Sequence, residues 1–244
     1  MFGMNYLSSW YSGTETPTNE SAVPDAGTSY PKVADVDLVA FADKSVEVLL
    51  ARDSGSDKVT TWDLVSEDDG VTIWRGDVEG DSWNAFRCAR RITTDKASIV
   101  KALLDVELTM ELDEMMESAE GIKDAEEGRI SLRHVASKGV FPISGREFVI
   151  ITCVRELPDG RAIIATRSVV IDEIEPFDGY VRATNHVSGY IIKEEKDAQG
   201  KVYCDVTLLA HADLGGFIPA QIVNLLGTSS TVKVLEKLQQ LIGQ

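Results

Sequence analysis

KGVFPISGREFV, residues 138–149, is the stretch that decides the fold of this chain, and DLGGFIP, Asp213–Pro219, complements it about 65 residues later. The first stretch leads from a proline-containing turn into the strand Phe148–Val154, which carries apolar or small side chains on both of its faces. An antiparallel strand of this kind needs cover on both sides. The second stretch precedes an amphipathic helix, Pro219–Ile242, whose proline suits the first turn. At 1.5 Å per residue this helix is about 35 Å long, so it can supply one of the two covers.

The remaining elements follow from hydrophobic periodicity and turn residues. The predicted helices are Val33–Arg52, Thr94–Leu104, Met110–Ser118 and Pro219–Ile242. The predicted strands are Trp62–Val65, Val71–Arg75, Ser82–Ile92, Ile130–Ala136, Arg146–Glu156, Arg161–Asp172, Gly179–Ile192 and Val202–Ala212. Short links with turn chemistry between successive strands predict an antiparallel meander, and hence an α+β fold.

The composition is that of a globular protein with a strongly acidic surface. Of 244 residues, 43% are hydrophobic, and the net charge is −16. A surface this acidic repels phosphates, which argues against nucleic acid as a partner and against purely electrostatic binding to anionic membranes. Three separate cysteines without CxxC spacing favour reduced thiols, and we therefore expect a cytoplasmic protein. No apolar run approaches the ~20 residues of a membrane helix, and no secretory signal is visible.

Residues 1–32 differ from the rest of the chain. They are rich in Ser, Thr, Gly and Pro and are expected to form a flexible tail, which leaves 33–244 as one domain. Apolar and aromatic residues nevertheless crowd the first eleven positions: Phe2, Met4, Tyr6, Leu7, Trp10 and Tyr11. They could form a weak interfacial anchor, but no basic residue supports it, so a mobile or folded-back tail is favoured.

The two motifs and the order of elements resemble the START (StAR-related lipid transfer) domain family over Val33 to Ile242. Further matches are Val71–Arg75 (VTIWR), Gly179–Ala183 (GYVRA) and Ser188-Gly189-Tyr190. The family usually has P-x-S-x-R-D-F-V at the central motif, where this chain has Glu147 in place of Asp. The resemblance implies the helix-grip fold, a curved antiparallel sheet wrapped around a long C-terminal helix, with an internal tunnel for one lipid. It implies no cofactor and no catalysis, a transient membrane contact and a monomer.

The family also indicates which residues form the tunnel wall. The predicted lipid-binding wall is Phe148, Ile150, Thr152, Val154, Arg133, His134, Tyr190, Tyr203, Ile222, Leu226 and Leu235. Sterol-binding members carry a buried acid and an arginine in the tunnel. Here the arginine position is Thr152, and the strand that would carry the acid, Ser131–Val135, has no carboxylate. A phospholipid is therefore favoured over a sterol, with Arg133 and Arg167 as possible phosphate partners.

A tunnel needs an entrance. The turn Leu157–Gly160, which contains Pro158, and the C-terminal helix are predicted to form a lid, with Gly215-Gly216 as its hinge. Leu157 and Phe217 would contact the membrane.

Other polar residues are assigned structural roles. Arg146 and Glu147 are expected to fix the strand register, and Asp213 to accept backbone N–H groups of the following turn. His134, His186 and His211 are not at metal-ligand spacing, so no metal site is predicted. The carboxylate run Glu111, Asp113, Glu114, Glu117, Glu120 is predicted to be a solvated helix face.

Three functions stay open at this point. Lipid binding and transfer leads, followed by a lipid-responsive regulatory module with the same cavity. An enzyme of the helix-grip cyclase type is the least favoured, because no paired acid and base is evident.

Overall fold

The computed structural model describes residues 37–171, 174–216, 218 and 220–243, with the backbone alone for residues 220–226. The predicted tail, residues 1–32, and Phe217 lie outside the described residues. For Ile222 and Leu226 the side chains also lie outside that description.

Within the described residues, four α-helices and ten strands follow the predicted order except at β4, where a helix was expected. The helices are α1 (Leu38–Ser54), α2 (Lys96–Leu104), α3 (Val106–Leu112) and α4 (Ala220–Ile242). The strands are β1 (Thr60–Asp68), β2 (Val71–Val78), β3 (Ala85–Ile92), β4 (Met116–Ala125), β5 (Ile130–Ser137), β6 (Arg146–Glu156), β7 (Ala162–Ser168), β8 (Val181–Arg182), β9 (Thr184–Lys196) and β10 (Val202–Asp213).

The strands form one curved, open sheet. Its order is β1-β2-β3-β10-β9-β7-β6-β5-β4, and β8 pairs off this path with β6. Every neighbouring pair on the path is antiparallel. The sheet with a long C-terminal helix against it confirms the predicted helix-grip fold.

The two faces of the sheet carry separate cores. On the outer face, α1 packs on a cluster that includes Ile163, Ala165 and Leu209, all fully buried. On the inner face, α2, α3 and the C-terminal half of α4 pack on a cluster that includes Ile164 and Leu208. Successive side chains of a strand point to opposite faces of the sheet. Residues that are paired across neighbouring strands point to the same face, so the register shows which side chains share a face.

One predicted element was wrong. The chain is helical over Val106–Leu112 rather than Met110–Ser118, and Met116 begins the edge strand β4. Asp105 caps the start of α3 by accepting the N–H of Leu108, and the carboxylate of Asp113 accepts the N–H of Met115 and turns the chain out of the helix. The carboxylate run is therefore no helix face, since Glu111 lies in α3 while Glu117 and Glu120 lie on β4.

Most of the other predicted strands also change their bounds, and two of them change most. Arg161–Asp172 shortens to β7, and Gly179–Ile192 divides into β8 and β9.

Candidate functional site

The inner face of β6 is incompletely covered by described side chains. Val154 at one end is buried in the inner cluster, whereas Phe148, Ile150 and Thr152 are only half-buried. Their outward neighbours Val149, Ile151 and Cys153 are fully packed against α1. The strand is thus fully packed on one side and only partly covered by the described side chains on the other.

A row of hydroxyl groups crosses this part of the inner face. The register aligns Ser131 of β5, Thr152 of β6, Thr166 of β7 and Ser188 of β9. The hydroxyls of Thr152 and Thr166 lie 2.9 Å apart. Arg133 lies beside this row, paired in register with Ile150. Sequence reasoning found Thr152 and Arg133 but missed the row, because it exists only once strand order and register are known.

A cavity of about 480 Å³ lies next to the row, between the sheet, the α3–β4 turn and α4. Its walls include Phe86, Ala210, Ala212, Leu112, Asp113, Met115, Val234 and Lys237. Ala210 pairs directly with Ser188, so the cavity and the hydroxyl row are continuous along the sheet. Gly227 brings α4 close to this wall, since a Cβ at this position would collide with the ring of Phe86.

Two ionisable groups border the cavity region. Burial raises the pKa of the Asp113 carboxyl, although the N–H of Met115 and the charge of Lys138 act in the opposite direction. Burial also raises the pKa of Tyr190, and the charge of Asp113 adds to this effect. The Tyr190 hydroxyl has no hydrogen-bond partner among the described residues, and Tyr190 packs against the inner cluster.

The structure places most predicted wall residues on the inner face. Phe148, Ile150, Thr152, Arg133 and Tyr190 belong to it, while Val154 and Leu235 are part of its packed core. Their contact with a lipid stays a prediction.

Two predicted wall residues, and one proposed phosphate partner, lie on the other face. His134 donates from Nε2 to Glu147 Oε2, 2.6 Å away, and its ring stacks on Phe177. The ring of Tyr203 lies under the guanidinium of Arg91, 3.8 Å from it. Arg167 donates to the carbonyl of His186 and lies over the ring of Phe41 in α1. Successive side chains of a strand point to opposite faces, so an assignment that is off by one residue places a side chain on the wrong face. These assignments were wrong for that reason.

The predicted lid also changes. Leu157 is half-buried against the outer cluster with α1, so it is not an exposed turn tip, whereas Pro158 is exposed. The exposed apolar tip lies in the preceding loop, where the Phe141 side chain is 94% exposed.

The two stretches that decide the fold are joined by Arg146. Its guanidinium donates to the carbonyls of Leu214 at 2.9 Å and Gly215 at 3.0 Å, and to Ser144 at 2.6 Å. Asp213 accepts the N–H of Gly215 at 2.7 Å, as predicted. Gly215 and Gly216 both have positive φ, which suits glycine and forms the bend ahead of α4. Burial lowers the pKa of Arg146.

Glu147, by contrast, is held on the outer face. It is fully buried and accepts from Phe177 N–H, Arg182 and His134. Burial alone would raise its pKa, but these hydrogen bonds outweigh burial and hold it below its usual range. Its role is structural, since every one of its contacts ties β6 to neighbouring segments.

One cluster with metal-ligand chemistry was missed. Asp81, His186 and His211 place one ligand atom each within 4.8 Å of one another. The Nδ1 of His211 lies 2.6 Å from the Arg52 guanidinium, which can only donate. Nε2 therefore carries the proton and faces the Trp83 carbonyl at 3.1 Å and Asp81 at 3.3 Å. This donor set does not fit a metal ion, because a ligating histidine needs an acceptor at its second nitrogen.

Comparisons with known proteins agree with this architecture. The START domain family model matches residues 48–244. The steroidogenic acute regulatory-like protein 1 of Caenorhabditis elegans is 37% identical over 86 residues, which is 35% of this chain and 32% of that protein, so the match spans about a third of the relative.

Two solved structures share the fold. The human StAR-related lipid transfer protein 5 superposes with a TM-score of 0.68 at 19% identity, covering 83% of this chain and 97% of that one. A STAR-related lipid transfer protein from Xanthomonas axonopodis gives a TM-score of 0.60 at 23% identity, covering 73% and 97%. With a family model matching most of its length, the chain belongs to the START domain family.

Proposed function

We propose that this chain binds one lipid between the inner face of the sheet and α4, and carries it between membranes. Membership of the START domain family and the likeness to proteins named for lipid transfer support this function. The cavity of about 480 Å³ has a size typical of small-molecule sites, which span ~300–1,000 Å³.

The observation that carries the proposal is that side chains on the two faces of β6 are buried to different extents. Phe148 and Ile150 remain half-buried on the inner face, although the same strand is fully packed on its outer face. Half-buried apolar side chains gain a partner when an acyl chain replaces water, and each buried CH₂ contributes about 0.8 kcal/mol.

A phospholipid is the favoured class. The Thr152 hydroxyl is engaged with Thr166 across the strands, and Ser131–Val135 supplies no carboxylate. The buried acid–arginine pair that the resemblance associates with sterols therefore has no counterpart at these positions.

Membrane contact is assigned to the loop between β5 and β6 rather than to Leu157. Val140 and Phe141 are exposed there, and an exposed aromatic side chain favours the membrane interface. None of the described helices is long and apolar enough to cross a bilayer. Contact by a loop tip is accordingly transient in this proposal.

The three cysteine thiols are consistent with a carrier that does no covalent chemistry. Burial raises the pKa of Cys88 and Cys204 to about 12 and that of Cys153 to about 11, so none is a ready nucleophile. Reduced, buried thiols also suit the cytoplasmic location that we expect.

The test begins with native mass spectrometry of the purified protein, followed by organic extraction and lipid identification. Transfer is then measured between donor and acceptor vesicles that carry a fluorescent phospholipid or sterol. We expect one phospholipid per chain and protein-dependent transfer. Uptake without transfer would favour a lipid-responsive module, and no uptake from any vesicle would refute lipid binding.

A further inference from the structure

We propose that residues 1–11 of this chain dock on an aromatic patch on the outer face of the sheet, at its β1 edge. Trp62, Leu64 and Trp74 form this surface, and we call these three side chains the tryptophan patch. The surface lies on the opposite side of the sheet from the cavity, so the inference does not depend on the proposed lipid binding.

The tryptophan patch lies beside the end of α1. This helix contacts β5, β6, β7 and β9, and its last turn reaches β1, where the carbonyl of Arg52 accepts the indole N–H of Trp62 at 2.9 Å. Trp62 thereby packs at the margin of the outer cluster. Leu64 follows two residues later and pairs in register with Trp74, so all three side chains share one face of the sheet.

Arg87 holds the two indole rings in place. Its Cζ lies 4.0 Å from the centroid of the Trp74 ring and 5.0 Å from that of Trp62. The guanidinium is itself fixed by Asp53, whose carbonyl accepts a hydrogen bond at 2.8 Å. A Cβ at Gly76 would come within 2.8 Å of the Trp62 ring, so this ring lies directly on the backbone of β2. An aromatic surface that is already ordered loses little conformational entropy when it binds.

The tryptophan patch is incompletely covered by the described part of the chain. β1 is the end strand of the sheet, and Leu64 is 59% exposed although it lies between two aromatic residues of the same face. Trp62 and Trp74 are half-buried. Apolar side chains that are exposed next to one another mark an interaction surface.

The charge around the patch favours an uncharged occupant. The β1–β2 hairpin has a single base, Arg75, against the carboxylates of Asp63, Glu67, Asp68, Asp69 and Asp77. Two copies of the chain that met at these hairpins would repel each other, and anionic lipid headgroups would be repelled as well. A segment without acidic side chains avoids this repulsion.

Residues 1–11, with the sequence MFGMNYLSSWY, have the matching composition. They contain no Asp, Glu, Lys or Arg, and they include Phe2, Tyr6, Trp10 and Tyr11. Aromatic side chains contribute large apolar areas, and their packing on the patch removes apolar area from water on both partners.

The connection between the segment and the domain has a suitable length. α1 has 17 residues. Its start at Leu38 and its last turn beside Trp62 are therefore about 25 Å apart at ~1.5 Å per residue. About 25 residues connect Tyr11 to Asp37, and a random coil of that length spans about 25–30 Å on average. A connection whose mean length matches the span gives a high effective concentration, which favours docking within one chain.

The experiment measures cross-linking of the whole chain by a short bismaleimide in dilute solution. Ser8→Cys places a thiol in the segment and leaves its aromatic residues unchanged. Glu67→Cys places a second thiol beside the patch, because Glu67 is exposed on β1 and pairs with Thr72, the outer-face neighbour of Trp74. Mass spectrometry then separates cross-linked single chains from cross-linked dimers.

The matched control combines Ser8→Cys with Glu120→Cys. Glu120 is an exposed carboxylate on β4, the other edge strand, and it pairs with His134 of the outer face. The native thiols of Cys88, Cys153 and Cys204 are fully buried and should not react.

We expect the pair at positions 8 and 67 to cross-link about tenfold faster than the pair at positions 8 and 120, which corresponds to about 1.4 kcal/mol. Leu64→Ser and, separately, Trp10→Ser should abolish most of this difference. Leu64→Ser should change the melting temperature little, because the Leu64 side chain is largely exposed. Should Leu64→Ser nevertheless not fold, Trp10→Ser, which lies outside the domain, decides the matter.

Three results would overturn the inference. The first is an equal rate for the two pairs, and the second is a rate difference that survives both Leu64→Ser and Trp10→Ser. The third is cross-linked dimers in place of cross-linked single chains, which would identify a second copy as the partner. Equal rates together with binding to neutral vesicles that Trp10→Ser abolishes would identify the segment as a membrane anchor instead.

Discussion

The outer and inner faces of the central strands differ although they share one backbone. On the outer face, Ile163, Val187 and Leu209 are fully buried beneath α1. On the inner face, Phe148 and Ile150 stay half-buried beside a row of hydroxyls. One side of the sheet is a close-packed core, and the other side is partly a core and partly a wall.

This difference separates the residues that hold the fold from those that we propose to contact the lipid. A half-buried apolar side chain makes fewer dispersion contacts than a fully buried one and therefore contributes less to stability. The outer cluster, together with the packed end of the inner face, must therefore supply most of the stability that the open part of the inner face lacks.

The largest effect is expected from emptying the outer core. Leu209→Ala removes a fully buried side chain on the α1 side and should lower the free energy of unfolding by about 3 kcal/mol, within the ~2–5 kcal/mol usual for such changes. Urea denaturation followed by circular dichroism measures it. Ile150→Ala on the inner face is the matched comparison and should lose about 1 kcal/mol or less, because little packing is removed from a half-buried side chain. Equal losses at the two positions would show that the faces do not differ in packing.

A loss of about 3 kcal/mol is also expected for Glu147→Gln. The amide nitrogen of Gln would face donors from Phe177, Arg182 or His134, and the Arg182 guanidinium would lose its carboxylate. Glu156→Gln, at the exposed end of the same strand, is the control and should change stability by less than about 1 kcal/mol. If the two variants unfold at the same urea concentration, the Glu147 network does not stabilise the fold.

The next prediction concerns Arg146, whose hydrogen bonds lie on the inner face of β6. Arg146→Gln removes the donors to the carbonyls of Leu214 and Gly215, and about 2 kcal/mol of stability with them. We expect faster amide hydrogen exchange at residues 213–216, since the bend before α4 is no longer held. Arg155→Gln, on the outer face of β6, should leave that exchange unchanged. Wild-type exchange rates in Arg146→Gln would exclude Arg146 as the link between the two motifs.

The sequence predicted the fold well because its signals are local or motif-like. The order of elements, the two-faced strand Phe148–Val154 and the bend at Asp213 all follow from side-chain pattern and turn chemistry. The helix over Met110–Ser118 failed because Asp113 ends α3 through its own hydrogen bonds, and apolar spacing does not report that.

The site was predictable only in part. A period of two separates the faces of a strand, but it does not say which face meets the cavity. His134 and Tyr203 were consequently placed on the wrong side. The hydroxyl row and the contacts among Asp81, His186 and His211 join residues of different strands, so they require the register of the sheet.

The smallest effect concerns the pH dependence of that cluster at the outer ends of β9 and β10. Burial lowers the pKa of His186, with the nearby His211 acting in the same direction and Asp81 against it. Burial alone would raise the pKa of Asp81, but its hydrogen bonds, to His211 above all, lower it to about 2.

The unfolded chain binds a proton at His186 more readily than the folded chain does. The contribution of His186 to stability is therefore full above about pH 6.5, and it is lost as the pH drops from there toward the lowered pKa of the folded chain. His186→Gln should remove that part of the decline, less than about 1 kcal/mol, while the loss from Asp81 between about pH 3.8 and 2 persists. Urea midpoints of both proteins between pH 7.5 and 5, values chosen to bracket about 6.5, measure the difference. Parallel curves would mean that His186 titrates alike in the folded and unfolded chain, and that its burial beside His211 has no electrostatic cost.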